Sequence, residues 1–182
     1  MENKKNILIT GVPGVGKTTL ITRLCDDLKE SCIAGFYTTE IREGGVRKGF
    51  ALVGLDGQRS ILSHVDIKSQ FVVGRYGVDV SGFEDFLEAI DLGGSLADII
   101  LIDEIGKMEC FSQRFKSLLL RRLDSRKIII ATIALKGNEF ISQIRKRSDV
   151  QVYGITTKNR DSLGFNILSQ VENILRQEKV KS

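Results

Sequence analysis

Two kinds of hydrophobic spacing alternate along most of this chain. Continuous apolar runs at Ile7-Leu8-Ile9, Ile99-Ile100-Leu101-Ile102 and Ile128-Ile129-Ile130-Ala131 read as short strands covered on both faces. Between and after them, apolar residues recur at three- and four-residue intervals, the signature of helices with one buried stripe. The stripes are Leu20, Ile21, Leu24, Cys25 and Leu28; Phe83, Phe86, Leu87 and Ile90; Phe111, Phe115, Leu118, Leu119 and Leu123; Phe140, Ile141 and Ile144; and Leu163, Ile167, Val171, Ile174 and Leu175. The first helix is expected over Thr18–Glu30, and Ser81-Gly82-Phe83-Glu84 has the spacing of a capping box for the second. Val150–Ile155 reads as a last strand. Strands alternating with helices imply an α/β fold on a mostly parallel sheet, whose ligands sit at the carboxyl ends of the strands.

The segment from Ile33 to Val73 breaks this alternation. Ile33–Ile41 is rich in β-prone residues, and turn signals follow at Gly44-Gly45 and Asp56-Gly57, with Val46–Val53 and Arg59–Leu62 as short strand candidates. No helical stripe occurs here, so residues ~36–63 read as an antiparallel β-hairpin insertion, with Phe71-Val72-Val73 as a further short strand. No repeat, low-complexity tract or linker divides the chain. Its 182 residues suit one domain, residues 1–182, with a full core.

The densest chemistry lies at the first strand-to-helix junction. Gly11-Val12-Pro13-Gly14-Val15-Gly16-Lys17-Thr18 has the G-x-x-x-x-G-K-[ST] spacing of a phosphate-binding loop. Its glycines let backbone N–H groups close on phosphate oxygens, and the following helix aims its N-terminus at the anion. Lys17 can follow the β- and γ-phosphates, the Thr18 hydroxyl can ligate Mg²⁺, and Thr19 extends the nucleotide-binding set. Hydrolysis also needs a metal anchor and a positioned water, and the apolar run ending Ile102-Asp103-Glu104 supplies candidates for both. Asp103 can hold the Mg²⁺ that bridges the outer phosphates, and Glu104 can orient or deprotonate the attacking water. An added glutamate of this kind resembles the P-loop class in which one further strand lies between the loop strand and the Asp strand. Ile128–Ile133 would be that strand, with Thr132 either beside the γ-phosphate or present for its β-propensity. Glu40 is the second candidate base.

Arginine often completes charge neutralisation in phosphoryl transfer. The candidates are Arg42, Arg47, Arg145, Arg147 and Arg160, and Arg160 ranks first because Thr157-Lys158-Asn159-Arg160 follows the last strand. The same loop, including Asn159, is expected against the nucleotide base. It lacks the N-K-x-D order of guanine-selective sites, so weak base discrimination is expected.

Charge and cysteine content narrow the partners. The net charge of +4, from 27 basic and 23 acidic residues, is spread along the chain. No concentrated basic stripe with interleaved aromatics argues for nucleic acid. Cys25, Cys32 and Cys110 have no metal-ligand spacing and read as reduced structural residues, and His64, the single histidine, reads as a surface residue. The apolar residues after Met1–Lys5 are too few for a signal peptide, and no run has membrane-spanning length. A soluble, cytoplasmic monomer is expected, with no membrane partner.

These segments together resemble the cancer-related and thermophile nucleoside-triphosphatase family of small P-loop proteins. The resemblance rests on Gly11–Thr18, Gly35-Phe36-Tyr37-Thr38, Glu40-Ile41-Arg42 through Gly49-Phe50, Val73-Gly74-Arg75-Tyr76, Asp103-Glu104-Ile105-Gly106-Lys107-Met108-Glu109 and Thr157–Arg160. It implies a three-layer fold on a RecA-like sheet and Mg²⁺-dependent hydrolysis of ATP, GTP, CTP and UTP with broad base tolerance. By motif match, Lys17 and Thr18 carry phosphate and metal, Asp103 the metal and Glu104 the water. Cys110 stands where a larger apolar residue would be expected, a matter of packing. Two other functions fit the same loop. A nucleoside or nucleotide kinase would need an acceptor pocket and a lid, and no lid-length segment interrupts the later strands. A nucleotide-gated switch would act on an RNA or protein partner and could hydrolyse slowly.

Overall fold

The computed structural model describes residues 4–92 and 96–180. Nine strands form one mixed sheet: β1 (Asn6–Thr10), β2 (Ile33–Glu43), β3 (Val46–Gly54), β4 (Arg59–His64), β5 (Val72–Val73), β6 (Tyr76–Val78), β7 (Ile99–Ile105), β8 (Ile128–Ile133) and β9 (Val150–Gly154). The helices are α1 (Lys17–Asp27), α2 (Val80–Ala89), α3 (Gln113–Leu123), α4 (Glu139–Arg145) and α5 (Arg160–Val180). The order across the sheet is β5-β6-β4-β3-β2-β7-β8-β1-β9. From β2 to β9 every pairing is parallel, and from β2 to β5 every pairing is antiparallel. One strand, β8, therefore lies between the loop strand β1 and the Asp-Glu strand β7, as the added glutamate led us to expect.

The continuous apolar runs are explained by what covers them. In β7, Ile100 and Ile102 belong to a core shared with Phe83, Phe86, Phe115 and Leu119 of α2 and α3, whereas Ile99 and Leu101 belong to one shared with Leu20, Leu24 and Ile167 of α1 and α5. Neighbouring residues point to opposite faces, so a strand buried on both sides has no polar positions. The result is three layers: two helical layers with the sheet between them.

Antiparallel strands occupy the 36–63 region and extend the main sheet, and two details differ from the sequence reading: a further strand, β6, follows the expected 71–73 strand, and the second helix has another cap. The first part of β2 pairs in parallel with β7 (Phe36 opposite Ile102), and its whole second half pairs with β3. Helix α2 begins at Val80, capped by Asp79, whose carboxylate accepts from the Gly82 N–H at 2.9 Å. The expected Ser81 cap falls inside the first turn, because Asp79 precedes it and is the stronger acceptor.

Candidate active site

The loop Gly11–Gly16 leaves the carboxyl end of β1 and feeds directly into α1. Val15 anchors it in the core, while Val12, Pro13 and Gly14 are exposed. Gly16 caps the helix with φ 109°, a left-handed conformation that strains any residue with a side chain. With no side chain at the cap and no acid in the first turn, the N–H groups at Lys17, Thr18 and Thr19 are left for an anion. Lys17 arches back over the loop, its Nζ donating to the carbonyls of Gly11 at 3.1 Å and Val12 at 3.4 Å.

Asp103 comes to this loop from two strands away. Its Oδ2 accepts from the Thr18 hydroxyl at 2.6 Å and its Oδ1 from the Thr132 hydroxyl at 2.6 Å. Asp103 is 2% exposed and Thr132 is fully buried, so both carboxylate oxygens have fixed donors. Thr132 thus acts on Asp103, a partnership the sequence did not disclose; its only signal was a polar residue at the end of a buried strand. Two hard oxygen donors converging at the phosphate loop suit Mg²⁺, which prefers one or two protein oxygens plus phosphate and water. Among the described residues, no group of three or more His, Cys, Asp or Glu side chains could hold a metal by itself, so a cation here would depend on the nucleotide for further ligands.

The pairing of β7 with β8 is irregular between Ile102 and Ile105, and Asp103 and Glu104 lie at that irregularity. Glu104 is half-buried, and burial raises its pKa, with nearby Lys17 opposing the shift and Asp103 adding to it. Beyond it, the chain turns through Gly106 into a short 3-10 turn, Glu109–Phe111. Glu109 is 5% exposed and its Oε2 accepts from the Gly106 N–H at 3.1 Å. A Cβ at Gly106 would lie 2.8 Å from that oxygen and 3.6 Å from Glu104 Cδ, so two carboxyl groups flank one glycine. Burial pushes the Glu109 carboxyl up to about 8, with Glu104 and Asp103 adding to the shift. Glu109 was visible in sequence only as one letter of a longer motif.

Most of the remaining candidates are engaged by other partners. Glu40 is held by Arg42 (Nε, 2.7 Å) and Arg47 (2.9 Å), which keep its pKa low and occupy its oxygens, so it is not poised to take a proton. Asn159 is committed to its own loop: its Oδ1 accepts from the Thr156 N–H at 2.7 Å and its Nδ2 donates to the Gly154 carbonyl at 2.9 Å. Arg160 opens α5 and lines a small cleft with Arg23 and Asp27 of α1, on the β9 side of the loop. Arg145 donates to the Leu135 carbonyl at 2.7 Å and Arg147 pairs with Asp149 and Asp124. His64, expected at the surface, has a side chain only 14% exposed, packed beside the Asp66 carboxylate at 3.4 Å, and the three cysteines are free.

Comparison with known proteins agrees with this arrangement. A family model described as NTPase matches residues 6–168. Nucleoside-triphosphatase THEP1 of Thermotoga sp. (strain RQ2) is 43% identical over 164 residues, covering 90% of this chain and 93% of that protein. The human cancer-related nucleoside-triphosphatase is 40% identical over 185 residues, covering 93% and 97%. The crystal structure of THEP1 from Aquifex aeolicus superposes with TM-score 0.83 at 34% identity, over 92% of this chain and 99% of that one. The solution structure of the human enzyme gives 0.81 at 36%, over 93% and 98%. With the phosphate loop, the Asp-Glu strand and the strand between them all in place, the chain belongs to the nucleoside-triphosphatase family shared by THEP1 and the human cancer-related enzyme.

Proposed function

We propose that this protein hydrolyses nucleoside triphosphates to the diphosphate and inorganic phosphate, with Mg²⁺ as cofactor and little discrimination among ATP, GTP, CTP and UTP. The observation that carries the proposal is the 2.6 Å contact between Thr18 and Asp103, which joins the phosphate loop to the acidic strand in one cleft. Backbone N–H groups from Gly14 to Thr19 and the Lys17 ammonium would hold the β- and γ-phosphates. Thr18 and Asp103 would hold Mg²⁺, which when bound neutralises charge on the outer phosphate oxygens. Glu104 aligns a water with the γ-phosphorus and accepts its proton. The new O–P bond forms as the bond to the β-phosphate oxygen breaks, and the diphosphate leaves with the electron pair. Burial makes Glu104 a better base than a solvated glutamate, because its charged form has lost hydration.

Weak base discrimination is supported by the β9–α5 loop. Asn159, its best base-reading group, already spends its amide on Thr156 and Gly154. A cytoplasmic monomer remains our expectation; among the described residues no helix is long and apolar enough to cross a membrane. Phosphate release from each of the four triphosphates, with and without Mg²⁺, on the natural chain and on Lys17→Ala, tests the proposal. Release without any added acceptor is expected, and loss of release in Lys17→Ala. Equal activity in Lys17→Ala, or a strict need for an acceptor nucleoside, would overturn it.

A further inference from the structure

The antiparallel half of the sheet runs on past the level at which the phosphate loop begins. Leu8, Ala131, Ile102 and Phe36 form one row across β1, β8, β7 and β2. The phosphate loop and Asp103 begin just past that row, but β2 runs on to Glu43, which places Glu40 roughly 13 Å beyond it. This overhang stands next to β7, on the side of the loop opposite β9. It is also tied to the segment that follows Glu104. Phe50 packs on the same core as Met108 and Phe111, and the Phe71 ring meets the Phe111 ring at 5.1 Å.

Here two guanidinium groups, of Arg42 and Arg47, share one carboxylate, and a third, of Arg75, lies beside them. Arg47 donates to Glu40 at 2.9 Å and from Nε to the Tyr76 hydroxyl at 3.0 Å. Its guanidinium lies 5.2 Å from the Phe50 ring centre and 5.8 Å from that of Tyr76. Arg75 lies 5.3 Å from the Tyr76 ring centre and donates to the Arg47 carbonyl. Arg42 also pairs with Glu40, at 2.6 Å. Tyr76 is 8% exposed and meets Phe50 edge-on, so the aromatic platform beneath the arginines is fixed by packing. The cluster carries more positive charge than it neutralises, in forks held by stacking and one acid. Such planar donors match the oxygens of a phosphate.

Position decides which phosphate. With its metal at Thr18 and Asp103 and its base against the β9–α5 loop, as proposed above, a nucleotide would have its terminal phosphate on the β7 side of the loop. Arg160 is at the base end, and the overhang is at the terminal-phosphate end. We propose that Arg47 and Arg75 form an oxyanion site for that terminal phosphoryl group, and that Glu40 is the positioning residue that aligns Arg47. This rests on the hydrolytic reading above. The same chemistry would accept either the γ-phosphate of the bound nucleotide or free phosphate after release.

The test measures Mg-dependent phosphate release, Mg–ADP affinity and inhibition by inorganic phosphate in Arg47→Ala, Arg75→Ala and Arg47→Lys. Turnover is expected to fall about 10²-fold or more in both alanine variants, with Mg–ADP affinity within about threefold of the natural chain. Affinity for ADP with aluminium fluoride, which mimics the transferring group, should fall in proportion to turnover, a loss that a merely structural role would not produce. Arg47→Lys keeps the charge but loses the fork, and should recover only part of the rate. Unchanged turnover with weakened phosphate inhibition would assign the same site to released phosphate. If neither turnover nor phosphate inhibition moves, the proposal is overturned. For variants that do not fold, arginine labelling of the natural chain by phenylglyoxal gives the answer: Mg–ADP with aluminium fluoride, or phosphate alone, must protect Arg47 and Arg75 and leave Arg121 reactive. Absence of that protection overturns the proposal. Should the natural chain release no phosphate from any triphosphate, the hydrolytic reading falls, while phosphate protection still decides whether this anion site exists.

Discussion

Thr132→Val isolates the contact that ties the sheet interior to the Asp103 carboxylate, the proposed metal holder. The substitution keeps the side chain's shape and removes one hydroxyl, so the cavity contribution is small. What is lost is a 2.6 Å hydrogen bond to Asp103 Oδ1, at a place where Thr132 is fully buried and Asp103 is 2% exposed. No water can take the donor's place without opening the core. A hydrogen bond to a charged group contributes about 1.5–3 kcal/mol, and an orphaned buried acceptor puts the loss toward the upper end. For a chain of this length, that lowers the melting temperature by about 3–12 °C. The second effect is functional. Asp103 loses the partner that fixes its orientation, and such supporting contacts commonly contribute about 10–100-fold in metal affinity. Circular dichroism melting and a Mg²⁺ titration of phosphate release read the two effects separately. Thr132→Ser, which keeps the hydroxyl, should recover most of both. A Thr132→Val chain that melts within about 1 °C of the natural one and half-saturates at the same Mg²⁺ concentration would refute the reasoning.

Three further outcomes follow from other contacts. Glu104→Gln should retain tight Mg–nucleotide binding while turnover falls about 10²-fold or more, and single-turnover kinetics with separate binding measurements will show whether it does. Glu109 has a folded-state pKa raised to about 8 from 4.5, so between those values the folded chain binds the extra proton. That contribution is full below about pH 4.5 and is lost as pH rises through about 8. Glu109→Gln should therefore flatten the stability profile over this window and stabilise the protein above it; urea unfolding from pH 5 to 9 would expose the error if the two profiles ran parallel. Gly35 has φ 142°, and a Cβ there would lie 1.8 Å from the Leu101 carbonyl oxygen. Gly35→Ala should break the β2–β7 pairing and cost more than about 4 kcal/mol, seen as loss of cooperative melting; a variant melting like the natural chain would contradict the close approach.

The layers and the phosphate end of the site were legible because their signals are local. The runs at Ile99–Ile102 and Ile128–Ala131 follow from burial on two faces, and the stripes of α1, α3 and α5 from burial on one. The loop Gly11–Thr18 can be read because its glycines, lysine and threonine stand close together in one short segment. The Asp103-Glu104 pair could be read only because an apolar strand precedes it. Helix α2 shows the limit of such reading: Ser81 had the right spacing, but Asp79 lay two residues earlier and captured the Gly82 N–H.

Sequence by itself determined most of the strands and helices, the loop with phosphate-binding spacing and the acidic pair at the end of β7. Tertiary structure alone decided that Thr132 holds Asp103, that Asn159 serves its own loop, that Glu109 flanks Gly106 opposite Glu104, and that Arg47 and Arg75 meet over Tyr76. The difference is physical. Periodicity and loop chemistry act over a few neighbouring residues, whereas long-range partners depend on strand order and register, and a slip of one residue would turn each side chain to the other face.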